Sequence, residues 1–215
     1  MELLRHLLDA QATTPRLTVY NETTGARLDF SAITLDNWAA KVANMLVEEF
    51  DLSPGESIRI DLPAGWQTVV LVLGALAAGI EPKFSGEGDV LFTAPDRLAD
   101  LEGWIALVSD DPFGRGIAET GGEVPPGIID FGPTVRLYGD VFDAPTPALP
   151  DIVPTSLPAK VRTLATGWTD AQSFAAQVLE PLAAGGSTVI VTGLADATRL
   201  AAIAKAERVT LPLHS

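Results

Sequence analysis

Cysteine is absent from this 215-residue chain, so disulfides, thiolate metal sites and cysteine nucleophiles are excluded. Histidine is scarce. His6 and His214 stand near the termini with no H-x-x-x-H spacing, and no G-x-S-x-G elbow exists to seat a catalytic serine. Positive charge is also scarce: 14 Lys and Arg stand against 28 Asp and Glu, a net charge of −14. That balance opposes an extended basic patch able to neutralise a run of phosphates, so neither nucleic acid nor an anionic membrane is an expected partner. Long apolar runs are missing. The most apolar stretch, Thr68 to Ala78, falls far short of the roughly 20 residues that span a bilayer. The N-terminus, Met-Glu-Leu-Leu-Arg-His, has no basic region followed by an apolar segment, which predicts a cytoplasmic protein without a signal peptide. There is no G-x-x-x-x-G-K-[ST] and no G-x-G-x-x-G.

The chain is nonetheless 47% hydrophobic, enough to bury a sizeable core. Its organising stretch is Ser53 to Pro82. Ser53-Pro54-Gly55 is turn chemistry. Ser57 to Leu62 is a short strand with Ile58, Ile60 and Leu62 on one face. After Pro63-Ala64-Gly65, the segment Gln67 to Ala78 keeps no polar face, which predicts a helix buried on all sides. Gly79 suits its left-handed C-terminal residue, and Pro82 lies just beyond.

Before this unit, Leu3, Leu4, Leu7 and Leu8 mark a short amphipathic helix. Thr18–Tyr20 and Arg27–Phe30 flank a turn and predict a β-hairpin, with the sequon at Asn21 read as turn chemistry. Ser31 is the expected N-cap of a helix carrying Leu35, Trp38, Val42, Met45 and Leu46 up to Phe50. Later, Val90–Thr93, Trp104–Val108, Ile128–Phe131 and Val135–Tyr138 read as strands, and Pro95–Leu101 as a short helix. Five prolines in residues 143–158 make that stretch the candidate subdomain boundary of an otherwise single domain, 1–215. Strand Val161–Ala165, helix Asp170–Leu182, strand Thr188–Val191, helix Asp196–Ala206 and a further strand from Val209 complete a βαβ rhythm. The expected fold is a three-layer α/β domain with a mostly parallel, doubly wound sheet and an N-terminal helix and hairpin.

Pro-Gly-Glu-x-Ile-x-Ile-x-Leu-Pro, followed by a buried helix ending Ala-Ala-Gly-x-x-Pro, resembles the N-terminal part of the adenylate-forming enzymes. These form the acyl-CoA synthetase or AMP-binding superfamily. The order of elements is collinear with theirs up to Pro82. The resemblance returns at Pro-Leu-Ala-Ala-Gly-Gly-Ser-Thr-Val-Ile-Val (181–191) and Glu-Arg-Val-Thr (207–210). That family's phosphate loop reads T-S-G-[ST]-T-G-x-P-K-G. At the corresponding place stands Thr155-Ser156-Leu157-Pro158-Ala159-Lys160, a degenerate remnant or a chance match, without glycines and with a proline that donates no amide. The chain also stops at Ser215, where those enzymes would continue. The resemblance therefore implies a truncated relative that does not adenylate and takes no cofactor.

Ligands in open α/β sheets bind outside the carboxyl ends of strands, and helix amides favour anions. Thr166, Gly167, Trp168 and Thr169 lead from a strand into a helix, and the resemblance places Trp168 near an acyl pocket, with Gly185 as a further concave lining. The alternative is that Trp168 packs beneath a capped helix. Asp110-Asp111 is a second candidate, either for a cation or acid/base pair or as a plain turn. Three functions follow: a non-catalytic protein binding a small acyl or adenine-nucleotide ligand, a module that self-associates or docks on a larger chain, or a ligase-like enzyme retaining weak nucleotide binding.

Overall fold

The structure, a computed structural model, describes residues 1–98 and 103–211. In chain order its elements are α1 (Arg5–Gln11), β1 (Pro15–Asn21), β2 (Ala26–Ser31), α2 (Ala32–Glu48), β3 (Ser57–Asp61), α3 (Trp66–Ala78), β4 (Glu81–Lys83), β5 (Val90–Thr93), β6 (Trp104–Leu107), β7 (Ile129–Asp130), α4 (Phe131–Val135), α5 (Leu149–Ile152), β8 (Arg162–Ala165), α6 (Ala171–Phe174), α7 (Glu180–Ala183), β9 (Ser187–Thr192) and α8 (Ala197–Ala206). The chain is α/β, and its strands divide between two sheets. They lie in two compact units. The first holds Asp36–Pro63 and Gln67–Thr146 with Met1; the second holds Glu2–Leu35, Ala64–Trp66 and Pro147–Ser215.

The sheet of the first unit runs β4-β3-β5-β6-β7, and every neighbouring pair is parallel. The chain moves from β3 to one edge and then back past it, which is the doubly wound order of flavodoxin-like sheets. Ile58, Ile60, Val90 and Phe92 are buried along the central strands. Phe92 takes the edges of Phe50 and Phe131 at ring-centroid distances of 5.8 and 6.0 Å.

Helix α3 is buried all round, as its lack of a polar face requires. Val69, Val70, Leu71 and Leu73 have no exposed surface. Its two polar residues are satisfied internally: Gln67 Nε2 donates to the Ser109 and Asp111 carbonyls at 3.0 and 3.2 Å, and Thr68 Oγ1 donates to the Pro63 carbonyl at 3.1 Å. Gly74 lets α2 approach: a Cβ there would come within 2.4 Å of Val42 Cγ1. At the far end Gly79 adopts φ +72°, which an L side chain resists. The start of α2 is as its sequence predicts, with the Thr34 N–H donating to Ser31 Oγ at 3.2 Å.

The second unit is built on the sheet β2-β1-β9-β8. The β1–β2 hairpin is antiparallel, and β1, β9 and β8 run parallel. Asn21 Oδ1 accepts the Thr23 and Thr24 amides at 3.0 and 3.1 Å, an Asx turn at the hairpin. Leu164, Val189, Val191 and Ile203 form a core cluster between this sheet and α8.

Four expectations need correction. Val135–Tyr138 is no strand: Phe131–Val135 is helical, because Pro133 falls in a first turn where its missing N–H costs nothing. Only Pro95–Arg97 of the expected helix 95–101 is a 3₁₀ turn, Leu98 is extended, and the rest lies outside the described residues. The helix expected unbroken over 170–182 widens into a π turn at Ala175–Leu179, where Pro181 has no N–H to return along the helix. The strand expected from Val209 is one parallel bridge, Leu211 to Thr163, within the described residues. In addition β4 forms without a sequence signal. It is three residues long with Pro82 at its centre, which only an edge strand tolerates.

Leu73→Asp places a charge without a partner in α3, at a cost of several kcal/mol. The expected outcome is loss of the cooperative thermal transition by circular dichroism; a wild-type melting curve would show that the helix surface is accessible.

Candidate functional site

Two places in the second unit bear on function, one at each end of its parallel strands. At the carboxyl end, β8 runs out into Thr166-Gly167-Trp168-Thr169 before α6. Gly167 adopts φ +123°, a conformation open to glycine almost alone. Trp168 is half-buried and meets Phe174 edge-on, with ring centroids 4.8 Å apart. The helix that follows is closed by a capping box. Asp170 Oδ1 accepts the Ser173 N–H at 2.7 Å, and Ser173 Oγ accepts the Asp170 N–H at 3.1 Å. The Asp170 carboxylate therefore takes the place an anion would occupy at this terminus. The loop offers an aromatic surface and an exposed backbone rather than an anion nest.

At the amino end lies the segment matched to the phosphate loop. Pro158 has no N–H. The Leu157 N–H donates to Thr155 Oγ1 at 3.1 Å, and the Lys160 N–H donates to the Ala184 carbonyl at 3.1 Å. Lys160 stands at φ +61° with its side chain in solvent, and Ser156 is exposed. Gly185 lies here too, just before β9, so it does not join Thr166–Thr169. The four-residue strand β8 separates the two places by about 13 Å.

Arg16 ties this end together. The β1–β2 register shifts between Pro15 and Leu17, on either side of it. Arg16 is only 6% exposed and donates from one guanidinium nitrogen to the Gly185 and Gly186 carbonyls at 2.8 and 3.3 Å, at the negative end of α7. His6 does related work: its Nε2 lies 2.9 Å from the Leu182 carbonyl. In the first unit Asp111 is likewise structural. It is 6% exposed, accepts the Phe113 and Arg115 amides, and pairs with the Arg115 guanidinium at 2.7 Å. His214 lies outside the described residues.

Beside the amino end a cleft of about 320 Å³ opens between the strand starts and the end of α8. Arg27, Asp29, Arg162, Ser187, Glu207 and Arg208 line it. Glu207 is the hub. Its Oε1 accepts the Tyr20 hydroxyl at 2.6 Å and Arg27 Nε at 2.9 Å, and its Oε2 accepts Arg162 at 2.6 Å. Arg162 also donates to Ser187 Oγ, Thr18 Oγ1 and the Glu207 carbonyl at 3.0, 2.9 and 2.8 Å. Burial pushes the Glu207 carboxyl up, but hydrogen bonds from Tyr20, Arg162 and Arg27 outweigh it and hold it below the usual glutamate range. Burial, and then the hydrogen bond to Glu207, push the Tyr20 phenol up. Arg208 follows α8 at φ +54°, a left-handed conformation that costs a side-chain-bearing residue about 1–2 kcal/mol.

No protein-family model matches the chain. It is 37% identical over 148 residues to the TIGR03089 family protein of Mycobacterium tuberculosis, a match covering 64% of this chain and 59% of that protein. Among solved structures, an acyl-CoA synthetase from Brucella canis superposes with a TM-score of 0.77 at 17% identity, over 99% of this chain and 47% of that one. The chain has the fold of about half of that synthetase. An anthranilate-CoA ligase in complex with anthranoyl-AMP agrees at TM-score 0.68 and 14% identity, over 95% of this chain and 48% of its own. The acetoacetyl-CoA synthetase of Streptomyces lividans gives 0.65 and 15%, over 97% and 41%. The chain thus spans 59% of the curated relative and about half of these solved structures.

On this synthetase-like fold, sequence reasoning missed the cleft. Its partners lie far apart in the chain, as Tyr20 and Glu207 do. The available signal was charge inside strand-forming runs: Arg27, Asp29 and Arg162.

The carboxyl of Glu207 is depressed in the folded state, so it stabilises the protein above the ordinary glutamate value of 4.5. That contribution is lost as pH falls through the lower folded value. Glu207→Gln leaves two guanidiniums without their shared charge and should cost about 1–3 kcal/mol at neutral pH. Urea unfolding across pH should show that loss together with a shallower acid limb; an unchanged acid limb would remove Glu207 from the acid response.

Proposed function

We propose that this chain is a non-catalytic, cytoplasmic protein of acyl-CoA-synthetase fold that binds a small acyl or adenine-nucleotide ligand at Thr166–Thr169. The observation that carries the reading is the state of the segment 155–160. Adenylation requires ATP phosphates to be held by converging amides and a lysine while charge develops. Here Pro158 lacks an amide, those of Leu157 and Lys160 are spent on Thr155 and Ala184, and the Lys160 side chain stands in solvent. Each missing electrostatic contact costs on the order of 10²–10³ in rate. What remains is a recognition surface: Trp168 offers an aromatic face and Gly167 an accessible backbone at the carboxyl end of a parallel strand. Anthranoyl-AMP on the anthranilate-CoA ligase joins an acyl group to an adenine nucleotide, the ligand chemistry proposed here.

A second reading, a protein-interaction module, is favoured by one observation in the first unit. Leu137 and Val141 are 84% and 65% exposed on a segment held to α2 by Lys41 and Asn44. Large apolar side chains on an anchored segment suit a partner or a second copy. Light scattering at tens of micromolar tests it: a dimer that Leu137→Asp returns to monomer supports self-association, and a wild-type monomer removes it.

The primary reading is tested by carboxylate-dependent exchange of labelled pyrophosphate into ATP, with no exchange expected. Robust exchange abolished by Lys160→Ala would restore residues 155–160 as a working loop. Thermal-shift titration with ATP, AMP, CoA and fatty acids is expected to find a stabilising ligand, by about 2.7 kcal/mol at a hundredfold excess over Kd. Trp168→Phe should abolish the ligand-dependent quenching of tryptophan fluorescence; equal quenching in the variant would move the ligand elsewhere.

A further inference from the structure

The cleft beside α8 carries more positive charge than its own contacts use. Three arginines, Arg27, Arg162 and Arg208, and two carboxylates, Asp29 and Glu207, are among the residues that line it. Both carboxylates are committed. Glu207 accepts from Tyr20, Arg27 and Arg162, while Asp29 accepts Arg27 at 2.6 Å and Thr18 Oγ1 at 2.7 Å. Arg208 has no carboxylate partner among the described residues. One positive charge is therefore left over, in a chain whose net charge is −14.

The ordinary role for a cation here is to answer the dipole at the end of α8. The backbone already does that work. The Val209 N–H donates to the Ala204 carbonyl at 2.9 Å, and the Arg208 N–H to the Lys205 carbonyl at 3.3 Å, the closure that normally places glycine at the left-handed position. An arginine there is strained where glycine would not be, and Arg208 stands exposed among the residues that line the cleft.

We propose that this cleft is a binding site for a small oxyanion, a carboxylate or phosphate group of about one negative charge. Arg208 supplies the uncompensated charge. Arg27 and Arg162 are held beside it by Glu207; Arg27 keeps one N–H on each terminal nitrogen and Arg162 keeps one, donors for a charge-assisted bond to such a group. The cleft's volume of about 320 Å³ is at the lower end for small-molecule sites, so the anion is borne on a compact molecule. The site stands apart from the Trp168 loop, at the other end of the strands, and does not rest on the reading given above.

The test uses the full chain, labelled with ¹⁵N, at low ionic strength, where screening of exposed charges is weak. Sodium phosphate and sodium acetate are titrated separately, with sodium chloride as the ionic-strength control, while the arginine Nε–H resonances are followed. Saturable shifts of Arg208 and Arg27 by phosphate, acetate or both, and not by chloride, are expected. Response to phosphate alone identifies a phosphate group, and response to acetate alone a carboxylate. Arg208→Gly is the decisive variant because it relieves the left-handed strain. It should melt no lower than the wild type without anion, and its Arg27 resonance should respond at least tenfold more weakly. No saturable shift with either oxyanion, an equal response to chloride, or an Arg208→Gly protein that binds as the wild type does would each overturn the proposal. The Trp168 fluorescence response should be the same in both proteins, so failure here leaves the other site's test intact.

Discussion

A helix with no polar face can exist only where protein surrounds it, and α3 imposes that condition on the first unit. Every apolar side chain it carries must be covered, and its two polar side chains must find carbonyls. Gln67 reaches the loop after β6 and Thr68 reaches the turn before the helix, so the loop and the turn are fixed along with it. The close approach of α2 depends on a missing side chain, since any Cβ at Gly74 would overlap Val42. The helix, its flanking strands and the first long helix therefore form one cooperative block.

Most of this block was legible in the sequence because local signals agreed with the tertiary outcome. The alternation in β3, the continuous apolar run of α3 and Gly79 each have a single structural reading. The errors fall where local pattern and context disagreed. Val135–Tyr138 carries strand-forming side chains, but Pro133 and the helical turn begun at Phe131 decide its conformation. β4 has almost no propensity of its own and exists because β3 offers it a pairing edge. Pro181 made no visible break in the pattern of its helix, since the chain accommodates it by widening one turn rather than stopping.

The functional residues were less legible, for a different reason. Trp168 and Gly167 are neighbours in sequence, so their loop could be found by reading along the chain. Gly185 suggests a concave lining beside them, but the parallel order of β8 and β9 places it at the opposite end. The Glu207 hub brings together residues from the hairpin, from β8 and from the end of α8, and no spacing rule links them. Arg16 shows the same limit: its bond to the Gly185 carbonyl spans the chain from β1 to the end of α7, and no local pattern announces it.

The proline at the centre of β4 has a consequence for behaviour in crowded solution. An open sheet edge is a template onto which a foreign strand can add, and long flat edges seed aggregates. Here the template is spoiled at both margins of the first unit's sheet. β4 is three residues long, lacks an amide at Pro82 and carries charge at Glu81 and Lys83, while β7 has only two residues. In the other sheet the marginal strand β2 carries Arg27 and Asp29. With a net charge of −14 adding long-range repulsion, association by strand exchange is disfavoured, and any specific contact this protein makes is left to its side chains.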